Sequence, residues 1–217
     1  MNDKRRRIAI VGAGELGQQI AHLGLKNGYR IVGFFDDWTD SATVMNLPVF
    51  GKLSDIDKNN CHFDALILGV GYKHFEFRKS FFDEFCSRYE FASIIDDSAV
   101  IDPTACVGKG CVIYPNVTLD KDVCIGEDVI LNISCTICHN SIIGSHSYIA
   151  PAVNIAGYVN VGEMVFLGIG ATVMDDLSIC DKTVIGAQTL VNQVITNKMG
   201  GVYVGVPARK IIPQHGL

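Results

Sequence analysis

The sequence predicts an α/β domain over residues 1–95, followed by a three-sided parallel β-helix over residues 96–217. The first part alternates short apolar runs, typical of buried strands, with segments of helical periodicity. From Ile101 to Val191, every sixth residue is Ile, Leu or Val, and a strict period of six is typical of a solenoid. The change of period near residue 95 predicts the domain boundary.

Composition and charge exclude several classes of protein. Of the 217 residues, 48% are apolar and 19% are charged, which is typical of a packed globular chain. A net charge of −5 leaves no general basic surface for nucleic acid. No run approaches the roughly 20 apolar residues of a membrane span, and no signal peptide is recognised. We therefore expect a cytoplasmic protein whose eight cysteines are free thiols.

The elements of the first domain follow from its hydrophobic pattern. Strands are predicted at residues 8–11, 31–35 and 65–70, and helices at about 14–27 and 74–89. In the second helix, Phe77, Phe81 and Phe85 share one face, which predicts that this face packs against the sheet.

The period of six also predicts the dimensions of the β-helix. Four residues after most aliphatic positions stands a small or β-branched residue, such as Ala105, Val117 or Ser141, which suits short strands joined by tight corners. Three sides of six residues give about 18 residues per coil, with successive coils about 4.8 Å apart. Residues 101–190 therefore predict five coils.

Glycines in the first domain have the spacing of a dinucleotide-binding loop. Gly12, Gly14 and Gly17 follow the first strand and open the first helix, and Asp36 and Asp37 end the next strand. Such glycines let backbone N–H groups approach a diphosphate, and an acidic residue can bind a ribose or a base. The context predicts a Rossmann-like nucleotide site, although glycine at such a turn can serve packing alone. An NAD-dependent dehydrogenase is disfavoured, because a solenoid is a poor substrate-bearing catalytic domain.

The closing segment 202–210 reads Val-Tyr-Val-Gly-Val-Pro-Ala-Arg-Lys. Together with the α/β domain and the period of six, it resembles the hexapeptide-repeat acetyltransferases that act on sialic acid or on nucleotide-linked amino sugars. The resemblance covers nearly the whole chain. It implies a left-handed β-helix, acetyl-CoA as co-substrate, a homotrimer and no metal.

The resemblance also implies the site residues. It implies His139 as the general base, with Asn140 and Asn132 as further catalytic residues; acetyl transfer needs a base to deprotonate the acceptor, and His titrates near neutrality. Relatives often carry an acidic residue where Asn140 stands, so the group that raises the basicity of His139 is left open. The implied coenzyme-binding residues are Gly157, Gly168, Gly186, Gly205, Pro207, Ala208, Arg209 and Lys210. The implied substrate-binding residues are Gly12, Gly14, Glu15, Leu16, Gly17, Asp36, Asp37, Gly71, Arg78 and Tyr148.

Three of these positions carry further expectations. Gly157 follows His139 by one full coil of the predicted solenoid, so the two should lie side by side, and in relatives the N–H of this glycine faces the thioester carbonyl. Relatives often carry a His where Leu16 stands, and some carry a second His where Tyr148 stands.

Two other chemistries are weighed and disfavoured. Residues 135–139 spell C-x-x-C-H, a haem-attachment pattern, but Ile137 keeps the period of six and Cys135 fits a small inward position. The β-helix region offers two histidines, His139 and His146, where a zinc site of the β-helix carbonic anhydrases would need three. We expect His146 to be structural or peripheral.

The resulting prediction is an acetyltransferase that moves acetyl from acetyl-CoA to the amino group of a nucleotide-linked amino-deoxy sugar in glycan synthesis. The nucleotide, whether UDP, dTDP or GDP, and the sugar stay open. O-acetylation of sialic acid or a related sugar is an alternative, and a non-catalytic nucleotide-binding scaffold is an alternative of another class.

Overall fold

The computed structural model describes residues 6–196 and 200–211. The chain divides into two compact units, one formed by residues up to 96 together with 109–111, the other by residues 97–108 and those from 112 onward. The segment 109–111, which the period of six assigns to the solenoid, therefore groups with the first unit.

The first unit is a mainly parallel sheet with two helices. Its strands are β1 (Arg7–Val11), β2 (Arg30–Phe35), β3 (Thr43–Val44), β4 (Leu47–Gly51), β5 (Ala65–Leu68), β6 (Glu90–Phe91) and β7 (Ile94–Ile95). Its helices are α1 (Glu15–Lys26) and α2 (Phe75–Phe85), with 3-10 turns at Leu53–Asp55, Asp57–His62 and Tyr72–His74. The first six strands follow the spatial order β3-β4-β2-β1-β5-β6, in which β3 pairs antiparallel with β4 and the other pairs are parallel.

Helix α2 covers one side of this sheet with a different face from the predicted one. Phe81 and Phe85 are buried as expected, and Phe82 is buried with them. Phe77, however, is 38% exposed. It lies in the first turn of α2 beside an open cavity, so its ring reaches the core only through a tilted contact with Phe81.

The second unit is built from very short strands. In chain order these are β8 (Val100–Ile101), β9 (Cys106–Val107), β10 (Val112–Ile113), β11 (Thr118–Leu119), β12 (Cys124–Ile125), β13 (Ile130–Leu131), β14 (Thr136–Ile137), β15 (Ile142–Ile143), β16 (Tyr148–Ile149), β17 (Asn154–Ile155), β18 (Asn160–Val161), β19 (Phe166–Leu167), β20 (Thr172–Val173), β21 (Ser178–Ile179), β22 (Thr183–Ile185), β23 (Leu190–Val191), β24 (Gly201–Val204) and β25 (Arg209–Ile211).

Every third strand belongs to the same sheet, as a three-sided helix requires. One side stacks β8-β11-β14-β17-β20-β23, the next stacks β9-β12-β15-β18-β21, and the third runs from β10 through β13, β16, β19 and β22 to β24. Each strand pairs in register with the strand one coil further along, for example Thr118 with Thr136 and Thr136 with Asn154. The predicted five coils of a left-handed parallel β-helix are confirmed.

The predicted inward positions form the core of this unit. From Ile113 to Val191 every sixth residue is buried, and so are the small residues between them, such as Ser141 and Val153. Ile101 and Val107, in the first coil, are only partly buried because a coil at the end of a stack has one neighbour instead of two.

The corners between the sides use a left-handed backbone conformation. Outside glycine, φ lies between 52° and 62° at one residue in nearly every corner. These residues are Asn116, Asp122, Asp128, Ser134, Asn140, His146, Ala152, Tyr158, Met164, Asp176, Lys182 and Gln188. Asn and Asp tolerate this conformation better than other side chains, whereas Tyr, Met and Lys adopt it at a cost.

The two isoleucines of β15 provide a matched test of the inward and outward positions. Ile143 is fully buried and Ile142 is 48% exposed. We expect Ile143→Ala to lower the free energy of unfolding by about 2–5 kcal/mol, because it leaves a cavity in a closed core. Ile142→Ala should cost less than about 1 kcal/mol. Urea unfolding followed by circular dichroism measures both, and equal losses would contradict the assigned orientation.

Candidate active site

A cavity of about 600 Å³ opens in the first unit at the carboxyl ends of β1, β2 and β5. Strand β1 lies between β2 and β5, where the strand order reverses, which is the usual ligand site of an open parallel sheet. The predicted residues Gly12, Gly14, Glu15, Leu16, Asp36, Asp37 and Gly71 line it. Its other lining residues are Val11, Trp38, Leu53, Gly69, Val70, Tyr72, Lys73, His74 and Phe77.

The three glycines of the first loop have different tasks. Gly12 adopts φ +102°, which favours glycine, and Gly14 precedes α1 with open space where a side chain would stand. The N-terminus of α1 therefore faces the cavity and suits an anionic group. Gly17 is buried, and a Cβ there would lie 1.9 Å from the carbonyl oxygen of Gly12. Gly17, predicted as a ligand-binding residue, instead allows α1 to pack closely on this loop and does not line the cavity.

Asp36 holds the loops of the cavity together. Its Oδ2 accepts the N–H of Ala13 at 2.7 Å, and its Oδ1 accepts the N–H groups of Trp38 and Thr39 at 2.8 Å each. Burial alone would raise the pKa of Asp36, but the three backbone hydrogen bonds outweigh it and hold the pKa below its usual value. Asp37 is exposed, and one of its oxygens accepts the N–H of Leu53 at 2.9 Å. Of the two carboxylates, Asp37 is therefore the better placed to meet a ligand.

Arg78 does not face the cavity. It is 1% exposed, and its guanidinium donates to the carbonyl oxygen of Val70, whose neighbour Gly71 lines the cavity. The predicted substrate contact is thus replaced by a supporting role behind the loop, because α2 turns this side chain inward.

Aromatic residues around the cavity were not predicted. Trp38, the only tryptophan of the chain, is 93% exposed at its rim, and Tyr72, in a 3-10 turn, and Phe77, in the first turn of α2, are partly exposed there. The one signal for Trp38 was its position directly after the Asp pair. Phe77 was not predicted to line the cavity, because its spacing from Phe81 and Phe85 indicated a buried helix face.

His139 is exposed at the corner after β14, as its phase in the repeat predicts. Its Nδ1 lies 3.2 Å from Oδ1 of Asn140, and its backbone N–H donates to Oδ2 of Asp120 at 3.3 Å. A Cβ on Gly157 would lie only 2.5 Å from Cε1 of His139. The imidazole ring therefore rests directly on the Gly157 backbone, one coil further along, as the period of six predicts.

The predicted coenzyme and acceptor residues gather at a different corner, the one after β13, β16, β19 and β22. There the amide of Asn132 donates to the hydroxyl of Tyr148 at 3.0 Å. Gly168 and Gly186 stack at this corner, since a Cβ on Gly168 would lie 2.7 Å from the carbonyl carbon of Gly186. The two glycines leave a stretch of bare backbone along the solenoid, while His139 and Gly157 lie at the next corner.

The closing segment is tied to the end of this stack. The N–H of Leu190 donates to the carbonyl oxygen of Gly205, and the N–H of Ala208 donates to that of Leu190 at 2.8 Å. Ala208 is fully buried and Pro207 is partly buried, whereas Arg209 and Lys210 project into solvent. Arg209 directly follows the turn, whereas the end of the Lys210 side chain lies against Gly201 at the start of β24.

The remaining candidates for chemistry are structural. His146 is 3% exposed, and its Nδ1 lies 3.1 Å from the buried carboxylate of Asp128, one coil earlier. Cys135 is fully buried, and burial raises the pKa of its thiol to about 11. Among the described residues, no three His, Cys, Asp or Glu side chains are grouped so as to hold a metal ion. No helix in the described ranges is long and apolar enough to cross a membrane.

Curated relatives match only part of the chain. UDP-3-O-acylglucosamine N-acyltransferases from Bordetella avium and Delftia acidovorans are 38% and 30% identical over 104 and 112 residues, which is 46% and 52% of this chain. The matched stretches cover 28% and 30% of those enzymes, so the chain spans less than a third of their length.

Solved structures show the same fold over nearly the full length. A histidine-to-alanine mutant of GDP-perosamine N-acetyltransferase from Caulobacter crescentus, in complex with CoA and GDP-perosamine, is 24% identical, with a TM-score of 0.89 over 95% of this chain and 97% of that one. The acetyltransferase domain of PglB from Neisseria gonorrhoeae, in complex with acetyl coenzyme A, is 22% identical, with a TM-score of 0.87 over 95% of this chain and all of that one.

Family models match both units. The PglD N-terminal domain model matches residues 7–85, and the GMPPB C-terminal domain model matches residues 95–200. Together the two models match most of the chain, and the solved structures show its fold.

Proposed function

We propose that this protein transfers acetyl from acetyl-CoA to the amino group of a nucleotide-linked amino-deoxy sugar, with His139 as general base. The observation that carries the proposal is the exposed His139 ring, held at a β-helix corner against the Gly157 backbone, in a chain that also has a nucleotide-sized cavity. Two structural neighbours that match nearly the whole chain support it: a GDP-perosamine N-acetyltransferase in complex with CoA and GDP-perosamine, and an acetyltransferase domain in complex with acetyl coenzyme A. The cytoplasm, where acetyl-CoA and nucleotide sugars are available, is the proposed location.

The contacts of His139 suit proton abstraction. Donation of its Nδ1–H to Oδ1 of Asn140 leaves a lone pair on Nε2, which can take the proton that the acceptor amine loses as its nitrogen bonds to the acetyl carbon. An amide fixes this tautomer but carries no charge to offset an imidazolium. The Asp120 carboxylate, which accepts the backbone N–H of His139, is the acidic group proposed to supply that charge.

The corner of Gly168 and Gly186 suits the coenzyme arm. Its bare backbone admits a long, narrow group, and the exposed cations of Arg209 and Lys210 suit phosphates at one end. Bound there, acetyl-CoA would supply an activated acetyl group: its C–S bond breaks as the C–N bond forms, and the leaving thiolate of coenzyme A takes the proton that His139 has accepted. The N–H of Gly157 is the proposed donor to the oxygen that becomes negative during transfer.

The cavity of the first unit suits the nucleotide. The N-terminus of α1 and Lys73 face it and favour a diphosphate, while Asp37 can accept N–H or O–H groups of the nucleoside. Trp38 at the rim offers an indole face for the base.

Trp38 makes nucleotide binding directly measurable. Trp38 is the one tryptophan of the chain, so tryptophan fluorescence reports on this rim of the cavity. The fluorescence should change on titration with UDP, dTDP or GDP, and the nucleotide with the lowest Kd is the proposed substrate nucleotide. We expect Asp37→Ala to weaken binding about tenfold, the loss of about one hydrogen bond to a charged group, without lowering the melting temperature. Asp36→Ala should lower the melting temperature as well, because three N–H groups lose their acceptor. Unchanged fluorescence with all three nucleotides would contradict a nucleotide site here.

The test of the activity is acetyl transfer to 4-amino sugars linked to UDP, dTDP and GDP, followed by mass spectrometry. His139→Ala should lower kcat about 10² to 10⁴-fold, the range for loss of a general base. His146→Ala is the control, since this buried residue lies at another corner and its loss should affect stability more than turnover.

Each outcome of this assay has a distinct meaning. Retained binding of acetyl-CoA shows that the β-helix of the variant is folded. A folded His139→Ala protein with near-normal kcat would show that the acceptor is deprotonated elsewhere. Transfer only to sialic acid would favour the O-acetyltransferase alternative, and no transfer to any acceptor would favour the scaffold.

We also propose a homotrimer, because one chain separates the two halves of the acetyl-transfer site. His139 and Asn132 lie at successive corners of the prism. One side of about five extended residues separates them, which corresponds to a distance of about 15 Å. A single acceptor can meet both only where two copies pack side by side, and a closed ring of three gives every copy the same neighbours. Exposed apolar side chains at these corners, such as Ile133 and Ile169, suit such packing.

Light scattering should therefore give about three times the chain mass of 23.6 kDa. Mixed trimers formed by co-expressing Asn132→Ala and His139→Ala chains should regain activity, since some interfaces then combine two intact corners. A monomeric mass, or no activity above that of the separate variants, would contradict the shared site.

A further inference from the structure

We propose that Tyr158 is a positioning residue for His139, holding the imidazole so that Nε2 points into the acetyl-transfer site. The inference rests on the proposed function of His139 as base. It comes from a ring contact and a backbone conformation that the resemblance to known acetyltransferases does not assign.

The first observation is the contact itself. The rings of His139 and Tyr158 lie 5.2 Å apart at 83°, an edge-to-face arrangement, and the N–H of Tyr158 donates to the carbonyl oxygen of His139 at 3.0 Å. Tyr158 thus contacts both the backbone and the ring of His139.

The second observation is the unusual backbone of Tyr158. It has φ 58°, at the corner position where this chain uses Asn or Asp in the equivalent place of the coils on either side, at Asn140 and Asp176. A bulky aromatic side chain is disfavoured in this conformation, and a ring that is 61% exposed recovers little by burial. A tyrosine here is therefore poorly explained by corner formation alone.

The third observation is that His139 needs such a restraint. An exposed imidazole samples several rotamers, and a shift of about 1 Å in a reacting group can cost about 10²-fold in rate. The Gly157 backbone limits the ring from one direction, and Asn140 holds Nδ1. The Tyr158 ring limits it from a further direction.

Three substitutions separate positioning from stability. Tyr158→Phe keeps the ring and should keep kcat within about twofold of the parent. Tyr158→Ala and Tyr158→Asn remove it and should lower kcat about 10 to 100-fold, with KM for both substrates changed less than about threefold. Because Asn suits a left-handed corner, Tyr158→Asn should unfold at the same or a higher temperature than the parent.

Lys182→Asn is the matched control. Lys182 has φ 57° at the third corner of the prism, away from the proposed site, so this substitution relieves the same backbone conformation. It should leave kcat unchanged. A loss of kcat in this variant equal to that of Tyr158→Asn would overturn the proposal, because the effect would then come from the corner and not from the ring.

A second measurement does not depend on acetyl transfer. Diethyl pyrocarbonate modifies accessible imidazole nitrogens, and mass spectrometry can follow His139 against the exposed His22 of α1. If the Tyr158 ring restrains the imidazole, its removal should raise the rate of His139 modification at least threefold in Tyr158→Ala and Tyr158→Asn. Tyr158→Phe keeps the ring and should leave this rate unchanged. Equal rates in all variants would overturn the positioning role, whereas an inactive parent protein with this pattern of rates would overturn only the acetyl-transfer function.

Discussion

The hydrogen-bonded ladder between coils is the constraint on which the second unit depends. The N–H of Ile142 donates to the carbonyl of Val159, and that of Tyr148 to the carbonyl of Val165, so each strand is joined to the strand one coil further on. This constant offset holds only if every coil contains the same number of residues. Because the coils are equal in length, equivalent residues of successive coils stack directly, and the contact of His139 with Gly157 follows from that stacking.

The same rule explains the contacts of both histidines of the β-helix. His139 rests on Gly157, and His146 pairs with Asp128, in each case one coil away. What distinguishes the two histidines is the residue that the neighbouring coil supplies: the Asp128 carboxylate holds His146 in a buried contact, while a glycine neighbour leaves His139 exposed. The fold therefore creates many stacked pairs, and the chemistry of a corner depends on which residue the neighbouring coil supplies.

How far the sequence predicted this structure depends on how regular the pattern was. The inward aliphatic residues, the five coils and the pairing of His139 with Gly157 follow from the period alone. The left-handed corners were not predicted, because residues as different as Asn116, Ala152 and Tyr158 occupy them and no side-chain type marks them. Backbone geometry imposed by the coil overrides local preference there.

In the first unit, prediction failed where one residue type serves two purposes. Gly14 and Gly17 look alike in the loop motif, yet one faces open space and the other lets two backbones touch. Asp36 and Asp37 also look alike, but three backbone donors occupy the first and leave the second exposed. A single sequence carries no information on what lies behind each side chain, and that is what separates a ligand contact from a supporting one.

Asn140, beside the proposed base, forms a left-handed corner and also contacts the imidazole of His139. Asn140 has φ 60°, a conformation that Asn and Asp tolerate best, and its Oδ1 lies beside Nδ1 of His139. The corner accepts either residue, so the backbone does not dictate whether the base has an amide or a carboxylate partner. With an amide at that position, a charge that stabilises the proposed imidazolium has to come from another coil. The Asp120 carboxylate accepts the backbone N–H of His139 and is the acidic group proposed for this role. The equal length of the coils thus allows the partner of the base to move from the adjacent residue to the adjacent coil without any change in the fold.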